Sequence, residues 1–152
     1  MKIVIPPNTL SEWYELVKET QAHTGMHLDE HIESYLILTL DNFVKDEALI
    51  DLPIAVEYLR TLNLSKESAS QKLRKVGDRC LILSGLFPNH AEKSNVSLSY
   101  FIDIGRQAYL TLADRTNFKI DPKLFYNLGF RFIDLKELLN AMRLVAHQTT
   151  KH

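Results

Sequence analysis

Apolar residues recur at steps of three and four along almost the whole chain, the period of helices that bury one face. After Pro6-Pro7, Thr9 and Glu12 have capping-box spacing, with the Thr9 hydroxyl accepting from a backbone N–H and Glu12 reaching back. The pattern predicts a first helix from about Leu10 to Ala22, burying Leu10, Trp13, Leu16 and Val17 and stopped by Gly25. A second, about Leu28 to Val44, carries its stripe at Leu28, Ile32, Tyr35, Leu36, Leu40 and Phe43. Pro53 suits the first turn of a third helix reaching about Leu62. Ser65 is placed to cap a fourth, in which Ala69, Leu73, Val76, Cys80, Leu83 and Phe87 face one way before Pro88 ends the run. A fifth, about Ser97 to Arg115, aligns Leu98, Phe101, Ile102, Gly105, Ala108, Tyr109 and Leu112. Asp121-Pro122 combines an acid at the N-cap with proline at N1, a strong start for the last helix. That helix is expected to break or bend near Gly129 and to continue through Leu135, Leu138, Leu139, Met142 and Val145.

Six helices joined by short loops predict an all-α fold, a single-domain bundle packed orthogonally or up and down. Residues 1–8 are expected to form an N-terminal arm and 147–152 a flexible tail around this one helical domain. The chain has 152 residues, 45% of them hydrophobic and 24% charged, which excludes a disordered chain, a fibre and a disulfide-stapled mini-protein. Its 18 basic and 19 acidic side chains give a net charge of −1, so no global field favours nucleic acid or an anionic membrane. Lys66, Lys72, Arg74, Lys75 and Arg79 gather positive charge on the fourth helix, but Glu67 and Asp78 interrupt it. A solvated helix face is the plainer reading, and no nucleic-acid partner is expected.

Cys80 is the only cysteine, which rules out an internal disulfide and suits a reducing compartment. The apolar start Ile3-Val4-Ile5 is shorter than the roughly seven residues a signal peptide needs. No window approaches the roughly 18 apolar residues of a membrane span, so the expectation is a cytoplasmic protein with no membrane contact.

Two segments carry candidate chemistry. His27-Leu28-Asp29-Glu30-His31 matches the H-x-x-E-H pattern of inverted zinc peptidases. Histidines four apart on one helix can share a Zn²⁺, and a glutamate beside them can take a proton from metal-bound water. A catalytic zinc needs a third ligand, for which Glu33, Asp134 or Glu137 is available without the spacing selecting one. Otherwise the segment is an acidic helix start with exposed histidines, and no cofactor is implied.

The second segment spans Gly77 to Tyr109. Gly77, Cys80 and Ser84 form a narrow strip on the fourth helix, and Gly105 and Ala108 one on the fifth, so the two helices can approach closely. Beside the strips lie Asp78 and Arg79, and Asp103 and Arg106. Buried charges need partners, so the economical reading is a cross-helix network that includes Tyr100 or Tyr109. The alternative is a ligand site of Asp78, Arg79, Tyr100, Asp103 and Arg106, with Arg79 or Arg106 holding a carboxylate or phosphate. Ser84-Gly85 lacks the flanking glycine of a nucleophile elbow, and Cys80 sits on the apolar stripe as a small hydrophobe. Nine of the fourteen aromatic residues lie between Phe87 and Phe132, where they serve as core or line an apolar pocket.

The runs GDRCLILSGLFP and SYFIDIGRQAY resemble a family of bacterial proteins that share GD…L..SG.FP and Y.IDIG…AY segments across a short variable loop. The likeness covers about Lys75 to Leu112. It implies a helical bacterial domain and transfers no catalytic residue, since no activity is assigned to that family.

The sequence therefore points first to a non-enzymatic helical module acting through protein–protein contact, as a homodimer or an adaptor. The second reading is a small-molecule or metal-binding protein. Its site would lie at the interface of the fourth and fifth helices or at His27, Glu30 and His31.

Overall fold

The computed structural model describes residues 9–45, 66–89, 97–115 and 121–150. The regular elements among them are α1 (Thr9–Thr24), α2 (Glu30–Lys45), α3 (Lys66–Leu86), α4 (Leu98–Asp114), α5 (Pro122–Phe130) and α6 (Phe132–Thr150). The all-α bundle predicted by the periodicity is present, but the set of helices differs. The helix expected over residues 53–62 and the arm 1–8 lie outside the described residues. The last predicted helix is two.

α1 includes Thr9 as its first residue and runs two residues past the predicted end to Thr24. Gly25 then takes a left-handed φ of 73°, a conformation that only glycine enters without strain. Trp13 and Val17 are buried, whereas Leu10, in the exposed first turn, is not. Gln21 bridges the turn into α2. Gln21 donates from Nε2 to Glu33 Oε2 and accepts at Oε1 from the Leu28 N–H at 2.8 Å. A carboxylate can only accept and a backbone N–H can only donate, so both ends agree on the orientation of this amide. Lys18 closes the clamp with an ion pair to Glu33 at 3.1 Å.

α3 changes character along its length. Its first half is amphipathic, with Ala69, Leu73 and Val76 buried and Gln71, Lys72, Arg74 and Lys75 exposed. From Arg79 to Leu86 every residue is buried, so this half is enclosed on all sides. α4 lies along one flank and α6 along another. The small residues permit that closeness. A Cβ added at Gly77 would sit 2.6 Å from the Tyr109 ring, and one at Gly105 would sit 2.5 Å from the Phe132 ring and 2.7 Å from Cys80 Cβ.

Ser97 caps α4 by accepting from the Tyr100 N–H at 3.3 Å, and Asp121 caps α5 by accepting from Lys123 and Leu124. The break between α5 and α6 falls at Arg131, not at Gly129. Gly129 stays helical, and a Cβ there would stand 2.6 Å from Leu110 on α4; the glycine serves packing and not the bend. α6 continues to Thr150, where fraying was expected from His147 onward. One apolar core draws on all six helices, with Tyr109 and Phe132 among its largest fully buried side chains. Among the described residues no helix is long and apolar enough to cross a membrane.

Candidate functional site

The H-x-x-E-H segment does not lie on one helix. Asp29 accepts from the His31 N–H at 2.9 Å and so caps α2, which begins at Glu30. Aspartate at an N-cap is favoured enough to set the start of the helix there. His27 is left in the preceding loop, outside the i, i+4 geometry that would bring it beside His31, and both imidazoles are exposed. The proposed third ligands are engaged elsewhere. Glu33 pairs with Lys18 and Gln21, Asp134 with Arg131 at 3.6 Å, and Glu137 with Lys136 at 2.8 Å. No group of three or more His, Cys, Asp or Glu among the described residues could hold a metal ion.

The second segment does contain a polar cluster, built around Asp78 on α3. The hydroxyls of Tyr35 on α2 and Tyr109 on α4 both donate to Asp78 Oδ1, each at 2.6 Å. Arg74, one turn before Asp78, donates from Nε to the Tyr35 hydroxyl at 3.1 Å. Its guanidinium also lies over the Tyr35 ring at 5.0 Å and near Phe125 at 6.0 Å. The Tyr35 and Phe125 rings meet edge to face at 5.5 Å, which seals one side of the cluster.

Burial raises the Asp78 carboxyl above its ordinary range, opposed by the hydrogen bonds from Tyr109 and Tyr35 and by the charge of Arg74. Burial pushes both phenols well above their usual range, and the adjacent Asp78 charge adds to the effect. The tyrosines therefore remain neutral donors. Two charge-assisted hydrogen bonds hold the carboxylate between three helices.

Of the five predicted ligand residues, only Asp78 belongs to this cluster. Tyr100 is exposed and packs edge-on against Phe101 at 6.4 Å. Asp103 is exposed and Arg106 half-buried, and neither forms an ion pair with the other described residues. The sequence gives Tyr109 as one of two possible partners but not Tyr35 or Arg74. Tyr35 was legible in principle, because a tyrosine in an aliphatic stripe must place its hydroxyl on an acceptor. Arg74 and Asp78 have the i, i+4 spacing of a helical charge pair.

Arg79 is buried, and its Nε and Nη1 reach no acceptor among the described residues. The basic residues of α3 thus do not form a single solvated face: Arg74 stacks on aromatic rings and Arg79 is enclosed. Cys80 is fully buried, and burial pushes its thiol up far beyond a reactive range although the Arg79 charge opposes this. The Ser84 hydroxyl donates back to the Cys80 carbonyl at 2.6 Å.

No protein family, curated protein or solved structure matches the chain.

Proposed function

We propose that the protein is a non-enzymatic cytoplasmic module that works through protein–protein contact at the elbow between α5 and α6. The supporting observation is the exposed apolar group there. Tyr126, Phe130 and Ile133 are 45%, 58% and 47% exposed, and the first two rings stand 4.6 Å apart. An aromatic pair in water, one turn apart on a capped helix and followed three residues on by an exposed isoleucine, has the make-up of an interface centre. The Arg131–Asp134 pair, next to Phe130 and Ile133 in sequence, supplies a polar rim. A contact role also fits the middle of α3, where Cys80 and Ser84 serve packing and backbone hydrogen bonding. The buried free thiol favours a reducing compartment.

The test is a photo-crosslinking side chain placed at position 130 in cells, with the same probe at Leu144, which is 65% exposed and lies outside the elbow, as the control. The expected result is a defined adduct from position 130 alone, its mass separating a second copy of the chain from another protein. Equal, diffuse labelling from both positions would remove the elbow from consideration.

A further inference from the structure

We infer that the partner taken up at the elbow is a second copy of this chain, docked antiparallel about a two-fold axis near Phe130, which rests on the elbow being the contact site proposed above. Lys123, Tyr126, Phe130, Ile133 and Glu137 are all exposed and follow one another at steps of three and four. That spacing sets them in one row along a helical surface. The row does not stop at the break between α5 and α6. Arg131 donates its N–H to the Asn127 carbonyl at 2.8 Å, and its own carbonyl accepts from the Leu135 N–H at 2.9 Å, so helical bonding runs through the elbow. The buried positions keep their period across it as well, from Phe125 and Leu128 to Phe132, Leu135 and Leu138.

The order of charges along the row selects the partner. Lys123 stands at one end and Glu137 at the other, each about two turns from Phe130, with only apolar and aromatic members of the row between them. Such a row is complementary to its own reverse. Turned end for end, a second copy sets its Glu137 beside Lys123 and its Lys123 beside Glu137, while the apolar centres meet. A two-fold contact requires this self-complementarity, and a row with the same charge at both ends would repel its own copy. Lys136 engages Glu137 at Oε1, 2.8 Å away, and a carboxylate accepts at both oxygens, so Glu137 can take a second cation. Beside the row Arg131 is balanced by Asp134. The whole chain has a net charge of −1, so little repulsion opposes the meeting of two copies. The row spans roughly 20 Å of helix, a small contact, and the dimer should therefore be a weak and reversible one.

The experiment is sedimentation velocity of the full chain in low salt, at concentrations from about 1 to about 500 μM. It compares wild type, Lys123→Glu, Glu137→Lys and an equimolar mixture of the two variants. Both positions are exposed, so circular dichroism should show the helical fold unchanged. Wild type should dimerise as its concentration rises. Each variant alone sets like charges together at both ends of the contact and should dimerise about tenfold more weakly. The mixture puts opposite charges back at both ends and should recover the affinity of wild type. A mixture no stronger than its components would overturn the antiparallel contact. A wild type that stays monomeric throughout would overturn self-pairing, and the crosslink at position 130 then judges the elbow separately. A defined adduct with another protein would leave the elbow as a contact site and remove the second copy; diffuse labelling would remove both.

Discussion

Asp78 and Arg79 are neighbours in sequence, carry opposite charges and do not pair with each other. Asp78 points between α2, α3 and α4, where two tyrosine hydroxyls converge on one of its oxygens and Arg74 steadies the first tyrosine. Arg79 points elsewhere, into an enclosed setting where two of its N–H groups have no acceptor among the described residues. Helical geometry separates adjacent residues onto different faces, so proximity in sequence gives no pairing. The difference teaches that burial of a charge is not one condition. On the Asp78 side the fold has built the solvation it removed; on the Arg79 side it has built only the enclosure.

The strongest way to break this contrast is to delete each charge and compare signs. Asp78→Leu should lower stability by about 4 kcal/mol, because two buried hydroxyls lose their acceptor at about 1–3 kcal/mol each. Asp78→Asn keeps an oxygen in place and should cost no more than about 1 kcal/mol. Urea denaturation reads both, and equal losses would show that the charge matters more than the acceptor. Arg79→Met should go the other way, raising stability by about 1–2 kcal/mol, since removal of an uncompensated buried ion is favourable. A loss of similar size there would mean that Arg79 is as well solvated as Asp78.

The pH dependence sharpens the Asp78 side. Both phenols have folded values raised above their unfolded value of about 10. Above that pH the unfolded chain releases protons that the folded chain retains, so stability is intact below about pH 10 and falls as pH rises toward the folded values. Each tyrosine should contribute a slope of about 1.4 kcal/mol per pH unit in this window. Tyr109→Phe should remove one such contribution from the alkaline limb of a stability–pH curve, and an unchanged slope would place the hydroxyl in water. The smallest effect expected is a coupling of about 0.5 kcal/mol or more between Tyr35→Phe and Tyr109→Phe in a double-mutant cycle, because both donors share Oδ1. Strict additivity would make them independent neighbours.

Much of the bundle was legible because its signals are local. Ser97 and Asp121 cap the helices that their positions predicted, and the apolar stripe of α2 is buried from Ile32 to Phe43. The small residues at Gly77 and Gly105 correctly announced a close approach of α3 and α4. Errors arose where two local signals competed. Asp29 caps the second helix two residues past the start expected at Leu28, and Gly129, a plausible break, was retained for its contact with Leu110. The polar cluster was only half legible, since periodicity scores Tyr35 as apolar and hides the demand of its hydroxyl. Arg79 was the least legible. The sequence reads it two ways, on a basic face with Lys72 and Lys75 and beside the buried strip of Gly77 and Cys80, and only the packing of the whole bundle decides for enclosure. Tyr100, Asp103 and Arg106 were grouped with it on sequence spacing alone, which cannot tell one side of α4 from another.

The Gln21 clamp has a consequence for the amide proton of Leu28. That proton belongs to a loop residue, yet a glutamine oxygen anchored on α1 holds it as a helical carbonyl would. Its exchange with deuterated solvent is therefore governed by the parting of α1 from α2, not by the motions of the loop. Leu28 should exchange at the pace of the helices on either side, a slow clock in a fast segment, and Gln21→Ala should release it.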